Sequence, residues 1–153
     1  MKLDIDWVDK NNSGFTLVEV IAVLVVIGIV AAFAVSSALL FLSSYKLATE
    51  DAILRMHLRY VQYRALSDDL SWGMSFTGSS YTSLRNGNTS PYNLPNEAGA
   101  THTLASGVSF SPTPGNVIFD KWGSPGANNV TITLSSGGEF KTVTITRNTG
   151  FIP

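Results

Sequence analysis

The sequence has 153 residues, a formal net charge of −1 and no cysteine. This length predicts one globular domain, in addition to the apolar run described below. The near-neutral charge gives no electrostatic basis for binding nucleic acid or anionic lipid through the whole molecule. The lack of cysteine excludes disulfides, cysteine nucleophiles and thiolate metal sites. Charged residues make up 14% of the chain, which is low beside the roughly 25% that is usual in soluble domains.

The deficit of charge is local to residues 20–45, which include no charged residue. Residues 20–42 form a nearly continuous apolar run, and about 20 such residues are enough to cross a bilayer as a helix. The run is too long for a strand and too long for the apolar core of a cleaved secretory signal. It predicts a transmembrane helix. The lysines on both sides of the run leave its orientation open by the positive-inside rule.

Glu19 is the one carboxylate at the edge of this run, in the stretch "GFTLVEVIAVLVV". One interpretation is that Glu19 lies at the headgroup level of the membrane and has no further role. A second requires a positive partner. If the chain were cut after Gly14, Phe15 would carry a free ammonium group about 6 Å along the helix from Glu19. In a staggered assembly, the amine of one helix could then pair with the glutamate of the next and set their register.

The stretch "GFTLVEVIAVLVVIGIVAA" resembles the processing site and helix of type IV pilins and type II secretion pseudopilins. The resemblance implies a leader peptide at residues 1–14, which a prepilin peptidase/methyltransferase removes by cutting between Gly14 and Phe15. It also implies N-methylation of Phe15 and a role for Glu19 in assembly. The leader would be cytoplasmic and the remainder of the chain outside. The leader of the family usually ends in a basic residue shortly before the glycine, often immediately before it, whereas here Lys10 lies four residues upstream.

Residues 15–44 are therefore predicted as the transmembrane and assembly helix, and residues 45–69 as its amphipathic second half. Apolar residues in this second half recur at spacings of three and four, which places them on one helix face that would pack on a sheet. These residues are Leu47, Leu54, Leu58, Val61 and Ala65. Three arginines, interpreted as a solvated face or as a contact for another subunit, are Arg55, Arg59 and Arg64.

Residues 70–153 are predicted to form an exported, β-rich domain. The short apolar stretches "WGMSF", "GVSF" and "NVIFD" are typical of strands. The stretch "NVTITLSSGGEFKTVTIT" alternates apolar and threonine residues on both sides of a glycine-containing turn, which predicts a β-hairpin. Residues 77–106 hold few apolar residues and are predicted to be long loops, in which Tyr81, Arg85 and Tyr92 are interpreted as loop decoration.

The C-terminal pattern "VIFDKWGSPG…VTITL…GGEFKTVTITRNTGFI" resembles the ending of the H-type minor pseudopilins and related minor pilins, the GspH/FimT group. That resemblance implies an α+β, pilin-like fold, in which a long N-terminal helix packs on a C-terminal antiparallel sheet domain. It also implies that the chain ends with a strand, a glycine turn, a second strand and then a short apolar strand.

No pattern indicates a catalytic, cofactor-binding or metal-binding site. His57 and His102 lack neighbours at a metal-ligand spacing. His57 is expected to be exposed among arginines on the helix, and His102 to lie in a threonine-rich loop. No nucleophile elbow, phosphate-binding loop or calcium loop is present in the sequence.

These patterns predict a structural subunit of a pilus or pseudopilus, with no enzymatic activity and no cofactor. It would be a single-pass protein of the bacterial inner membrane with a periplasmic C-terminal domain. Its partners would be other pilins or pseudopilins, the prepilin peptidase and membrane lipid.

Two alternatives stay open. The exported domain could bind DNA for uptake or a secreted cargo. Removal of residues 1–14 takes away two basic and three acidic residues and leaves eight of each, and near the C-terminus only Lys141 and Arg147 stand out as basic. The chain could instead be an uncut, membrane-anchored periplasmic enzyme.

Overall fold

The computed structural model describes residues 14–153, except for the side chains of residues 35–40. The predicted leader at residues 1–14, apart from Gly14, therefore lies outside the described residues. The chain divides into two compact units, Met1–Ala38 and Leu39–Pro153.

One helix and eight strands make up the regular structure of the described residues. The helix α1 spans Leu17–Asp68. It ends where Asp69 adopts a left-handed conformation with φ of 53°, a common way to terminate a helix. The strands are β1 (Trp72–Phe76), β2 (Ser80–Arg85), β3 (Asn88–Thr89), β4 (Thr101–Thr103), β5 (Ser109–Phe110), β6 (Val117–Phe119), β7 (Val130–Ser136) and β8 (Glu139–Ile145).

The strands form two antiparallel sheets in the unit Leu39–Pro153. The first has the order β3-β2-β1-β6, and β4 also pairs with β2. The second has the order β5-β7-β8. In the predicted hairpin, β7 and β8 pair in register from Val130 opposite Ile145 to Ser136 opposite Glu139. The structure thus confirms the hairpin and the α+β pilin-like architecture.

The core forms where the amphipathic part of α1 meets the two sheets. All five residues of the predicted apolar stripe are buried, from Leu47 at 1% exposure to Ala65 at 0%. The sheets contribute alternate residues, as expected when one face of a strand is buried. The largest of these buried sheet residues are Trp72, Met74, Tyr81, Phe119, Ile132, Leu134 and Ile145.

The prediction of long loops over residues 77–106 is wrong, because this region includes β2, β3 and β4. Its strands use small polar residues in place of apolar ones. Ser83 is fully buried on β2 and donates through its backbone N–H to the Ala100 carbonyl oxygen at 2.8 Å. The hydroxyls of Thr82 and Thr101 lie 2.8 Å apart across β2 and β4. Polar cross-strand pairs of this kind stabilise a sheet without producing an apolar pattern in the sequence.

Of the three arginines of α1, Arg59 is exposed, as a solvated face predicts, whereas Arg55 and Arg64 are half-buried. The Arg55 guanidinium donates to Asp51 at 3.0 Å, to the Pro153 carbonyl at 2.7 Å and to the Thr142 carbonyl at 3.2 Å. Arg59 donates to the Pro153 carbonyl at 3.1 Å. These side chains fasten the last residues and β8 to the helix.

Arg64 contacts two aromatic rings, whose own centroids lie 6.1 Å apart. Its guanidinium carbon lies 4.9 Å from the centroid of Trp72 and 4.6 Å from that of Tyr92. A salt bridge of 3.0 Å to Asp68 holds the same group. Cation–π contacts contribute most where water is excluded, so Arg64 fixes the chain around Tyr92 to the helix end.

The short apolar strand expected at the C-terminus does not form. The segment from Gly150 onward has no strand, although Ile152 is buried at 5% exposure. Gln62 holds it instead, donating to the Gly150 carbonyl at 2.8 Å and to the Gly123 carbonyl at 2.9 Å. A Cβ on Gly150 would lie 2.0 Å from the Gly123 carbonyl oxygen, so this close approach requires glycine.

Candidate functional site

The N-terminus of α1 is fixed by a side-chain cap. Thr16 Oγ1 accepts a hydrogen bond from the Glu19 backbone N–H at 3.2 Å. The Thr16 carbonyl accepts the first helical bond from the Val20 N–H, also at 3.2 Å. A threonine three residues before a glutamate is the pattern of a capping box, and such a cap satisfies an N–H that has no partner within the helix. The helix therefore begins after Thr16, and Gly14 and Phe15 lie outside it.

The structure brings together two of the three predicted site residues. Phe15 and Glu19 line the same shallow apolar groove, whose other walls are Val20, Val23 and Leu24. The Phe15 side chain is 82% exposed. Gly14 lies just before this groove, and a Cβ placed on it would meet no atom within 4 Å. The bond between Gly14 and Phe15 is thus open to approach in the described residues.

The apolar helix that follows is long and apolar enough to cross a membrane. Its window Leu17–Ala34 has a mean hydropathy of 2.9, and none of the window is buried. Full burial of one large aliphatic side chain stabilises a protein by about 1.5–3 kcal/mol relative to exposure. So large an uncovered surface requires lipid or other apolar helices around it.

A buried polar network forms a second notable group, within the unit Leu39–Pro153. His102 on β4 lies between two carboxylates, with Nε2 2.8 Å from Glu50 Oε2 and Nδ1 2.5 Å from Glu97 Oε1. Glu50 Oε1 also accepts from the Ala105 N–H at 2.9 Å. Burial opposes the charged form of the ring, but the hydrogen bonds to Glu97 and Glu50 outweigh it and raise the pKa of His102.

His57 is next to this bridge and is fully buried, so its prediction as an exposed residue is wrong. Its Nδ1 lies 2.8 Å from the Tyr81 hydroxyl, and its Nε2 lies 2.8 Å from the Pro95 carbonyl oxygen. Burial is the main cause that lowers the pKa of His57, and the nearby His102 adds to the effect. Burial likewise raises the pKa of the Tyr81 phenol, which therefore stays a neutral hydroxyl.

A helical spacing in the sequence could have revealed part of this network. Glu50, Leu54, His57 and Val61 follow one another at intervals of four, three and four residues, the spacing of one helix face. Leu54 and Val61 were assigned to the buried stripe on this basis, and the same rule places Glu50 and His57 beside them. The contribution of His102 and Glu97 depends on the pairing of β4 with β2, for which the local sequence has no signal.

The network does not have the arrangement of a metal site. Glu50 and Glu97 face opposite nitrogens of His102, so their oxygens do not converge on one point. Within residues 14–153, no group of three or more His, Asp or Glu side chains could hold a metal ion.

Comparison with known proteins gives a family match near the N-terminus and a structural match over most of the chain. Residues 9–35 match the family described as the prokaryotic N-terminal methylation motif. One crystal structure of the type IV minor pilin FimU from Pseudomonas aeruginosa matches at 15% identity and a TM-score of 0.54, covering 74% of this chain and 90% of that one. A second crystal form matches at 14% identity and 0.47, covering 68% and 90%. No curated protein matches the sequence.

The cap at Thr16 generates a prediction about the start of the helix. Thr16→Ala removes the side-chain acceptor and should cost about 1 kcal/mol of local stability, equivalent to roughly a fivefold loss of protection of the Glu19 amide. Hydrogen exchange of the full chain in detergent micelles measures this protection. Thr16→Ser keeps the hydroxyl and should behave as the original sequence. Equal protection in all three proteins would contradict a capping role.

Proposed function

We propose that the chain is a member of the type IV pilin superfamily and a structural subunit of a pilus or pseudopilus, a proposal that its methylation motif and its fold support. Within that superfamily we assign it to the minor pilins or minor pseudopilins. One observation carries the proposal: the motif at residues 9–35 overlaps an apolar helix whose window Leu17–Ala34 is uncovered. A subunit that assembles through this helix would cover it.

Processing is the first step of the proposed function. A prepilin peptidase would cut the leader of residues 1–14 between Gly14 and Phe15, and the new amine of Phe15 would be methylated. Two features support this. The bond precedes the Thr16 cap, so it is not locked in helical hydrogen bonds. The glycine on its leader side also has open space around it, as a peptidase that approaches the backbone requires.

Glu19 is the proposed determinant of register. After cleavage, the Phe15 amine would lie just before the Thr16 cap, four residues before Glu19 in the sequence, and both residues line one apolar groove. An ammonium and a carboxylate attract strongly where water is excluded, and either one left unpaired there is costly. A neighbouring helix, shifted along its axis, would place its amine against this Glu19. Wrong registers would leave both charges without partners, so the pairing selects one stagger.

Before assembly, the helix would hold the subunit in the inner membrane as a single pass, with the domain of residues 70–153 in the periplasm. The partners would be other pilins or pseudopilins of the fibre, the prepilin peptidase and the surrounding lipid. We propose no catalytic role, since pilins are structural subunits.

DNA binding by the exported domain is the alternative, and the distribution of charge does not favour it. A DNA-binding surface needs clustered cations that are free to reach phosphates. Here, Arg55 and Arg64 are paired with Asp51 and Asp68, and Lys46 donates to the Ser106 carbonyl at 3.2 Å. These cations already serve internal contacts.

The Glu19 mechanism predicts a separation between processing and assembly. Glu19→Ala should leave cleavage after Gly14 intact, because the cut is upstream, and should lower incorporation into the fibre about tenfold or more, since each 1.4 kcal/mol lost is about a factor of ten. Glu19→Gln, which removes the charge and keeps the shape, should behave likewise. Co-purification with the other pilins of the fibre measures incorporation.

Glu139→Ala is the matched control, because it removes an exposed carboxylate from the first residue of β8. It should assemble as the original sequence does. Normal incorporation of Glu19→Ala would show that the charge has no role in register.

A gel-shift measurement discriminates the DNA-binding alternative. The full chain in detergent should fail to retain duplex DNA at low salt, because Lys46, Arg55 and Arg64 are engaged within the domain. Retention that weakens steeply as salt rises, the signature of phosphate contacts, would favour the uptake receptor over a purely structural subunit.

A further inference from the structure

Two histidines with opposite protonation requirements lie side by side in the exported domain. Their ring centroids are 5.6 Å apart. Both nitrogens of His102 face carboxylates. An ionised carboxylate only accepts hydrogen bonds, so both nitrogens must carry hydrogen and the ring must be an imidazolium. This geometry makes His102 the counter-cation of two acidic side chains.

His57 satisfies its partners as a neutral ring. The Pro95 carbonyl only accepts, so Nε2 of His57 carries the hydrogen of that 2.8 Å contact. Nδ1 is then free to accept from the Tyr81 hydroxyl, 2.8 Å away. A single neutral tautomer therefore fits both contacts, in a site where the ring is fully buried and a second cation would lie beside His102.

These contacts fasten one segment to the helix. The segment of residues 94–105, called the latch segment, contributes Pro95, Glu97, His102 and the Ala105 N–H to the network. The helix α1 contributes Glu50 and His57, and β2 contributes Tyr81. Among the described residues, the titratable side chains that face the two histidine rings are Glu50, Glu97 and Tyr81.

We propose that the Glu50–His102–Glu97 bridge and the adjoining His57 form a two-sided pH latch that holds the latch segment against α1. Loss of the proton from His102 leaves two carboxylates facing each other without a cation, which is unfavourable in a buried site. Gain of a proton by His57 places a second buried cation beside the first. Either change opens the latch segment. Glu97, whose side chain is 27% exposed, lies where water can enter first. This inference is independent of the proposed assembly function.

Proton linkage gives the direction in which the stabilisation by each histidine changes with pH. The pKa of His102 is raised in the folded state, so its stabilisation is complete below the ordinary value near 6.5 and is lost as pH rises through the folded pKa. The pKa of His57 is lowered, so its stabilisation is complete above about 6.5 and is lost as pH falls through the folded pKa. The latch is therefore tightest near the ordinary histidine pKa and loosens on both sides.

Hydrogen exchange of the full chain in detergent micelles, corrected for intrinsic exchange at each pH, tests the proposal. Amide protection in the latch segment should fall as pH rises above about 6.5, by up to about tenfold per pH unit until the folded pKa of His102 is reached. It should also fall on acidification. The β7–β8 hairpin is the internal control, since it has no histidine, and should change far less.

Two variants show which histidine causes the loss of protection at high pH, the alkaline limb, and which causes the loss at low pH, the acid limb. His102→Gln should abolish the alkaline limb and keep the acid limb, whereas His57→Gln should do the reverse. If His102→Gln fails to fold, Glu97→Gln takes its place: with one carboxylate removed, the pKa of His102 is raised less, so the alkaline loss of protection should be smaller and should end at a lower pH. Ring proton resonances in the original chain give a separate readout, with His102 titrating above and His57 below the ordinary value. Protection independent of pH, or two rings that both titrate near 6.5, would overturn the latch.

Discussion

The apolar surface of Leu17–Ala34 is the constraint on which the rest depends. No residue of this window is buried, and water is an unfavourable environment for so many valine, leucine and isoleucine side chains. In the proposed function, lipid would cover this surface before assembly and other helices would cover it afterwards, since both are apolar. Replacing lipid by other helices around this surface changes the hydrophobic free energy little. A more specific interaction must therefore select the assembled state. We propose that Glu19, the carboxylate at the edge of the apolar run, supplies that specificity.

One helix, Leu17–Asp68, thus serves two tasks that its sequence separates. Residues up to 42 are apolar around the whole circumference, as a lipid-facing or bundled helix requires. Beyond Tyr45, a buried apolar stripe packs on the two sheets, while Arg55, Arg59 and Gln62 donate to backbone oxygens of the C-terminal segment. The arginines of α1 therefore complete the fold of the domain, which fits a structural subunit better than a nucleic-acid receptor.

Local sequence patterns predicted the parts of the fold that depend on local physics. The apolar run, the stripe from Leu47 to Ala65 and the β7–β8 hairpin each have a periodicity that only one structure satisfies. The strands between residues 80 and 103 have no such signal, because cross-strand contacts of Ser83, Thr82 and Thr101 replace apolar alternation. The positions of Arg55 and Arg59 depend on where the last residues return to the helix, a non-local fact. The histidine network was missed for the same reason, except for the helical spacing of Glu50 and His57.

The most direct test of the account is the intact mass of the protein recovered from bacterial membranes. The account predicts a chain that begins at Phe15 and carries one methyl group, because register requires a free amine opposite Glu19. A chain whose mass corresponds to Met1–Pro153 without a methyl group would contradict it. The helix would then be a membrane tether with an incidental carboxylate.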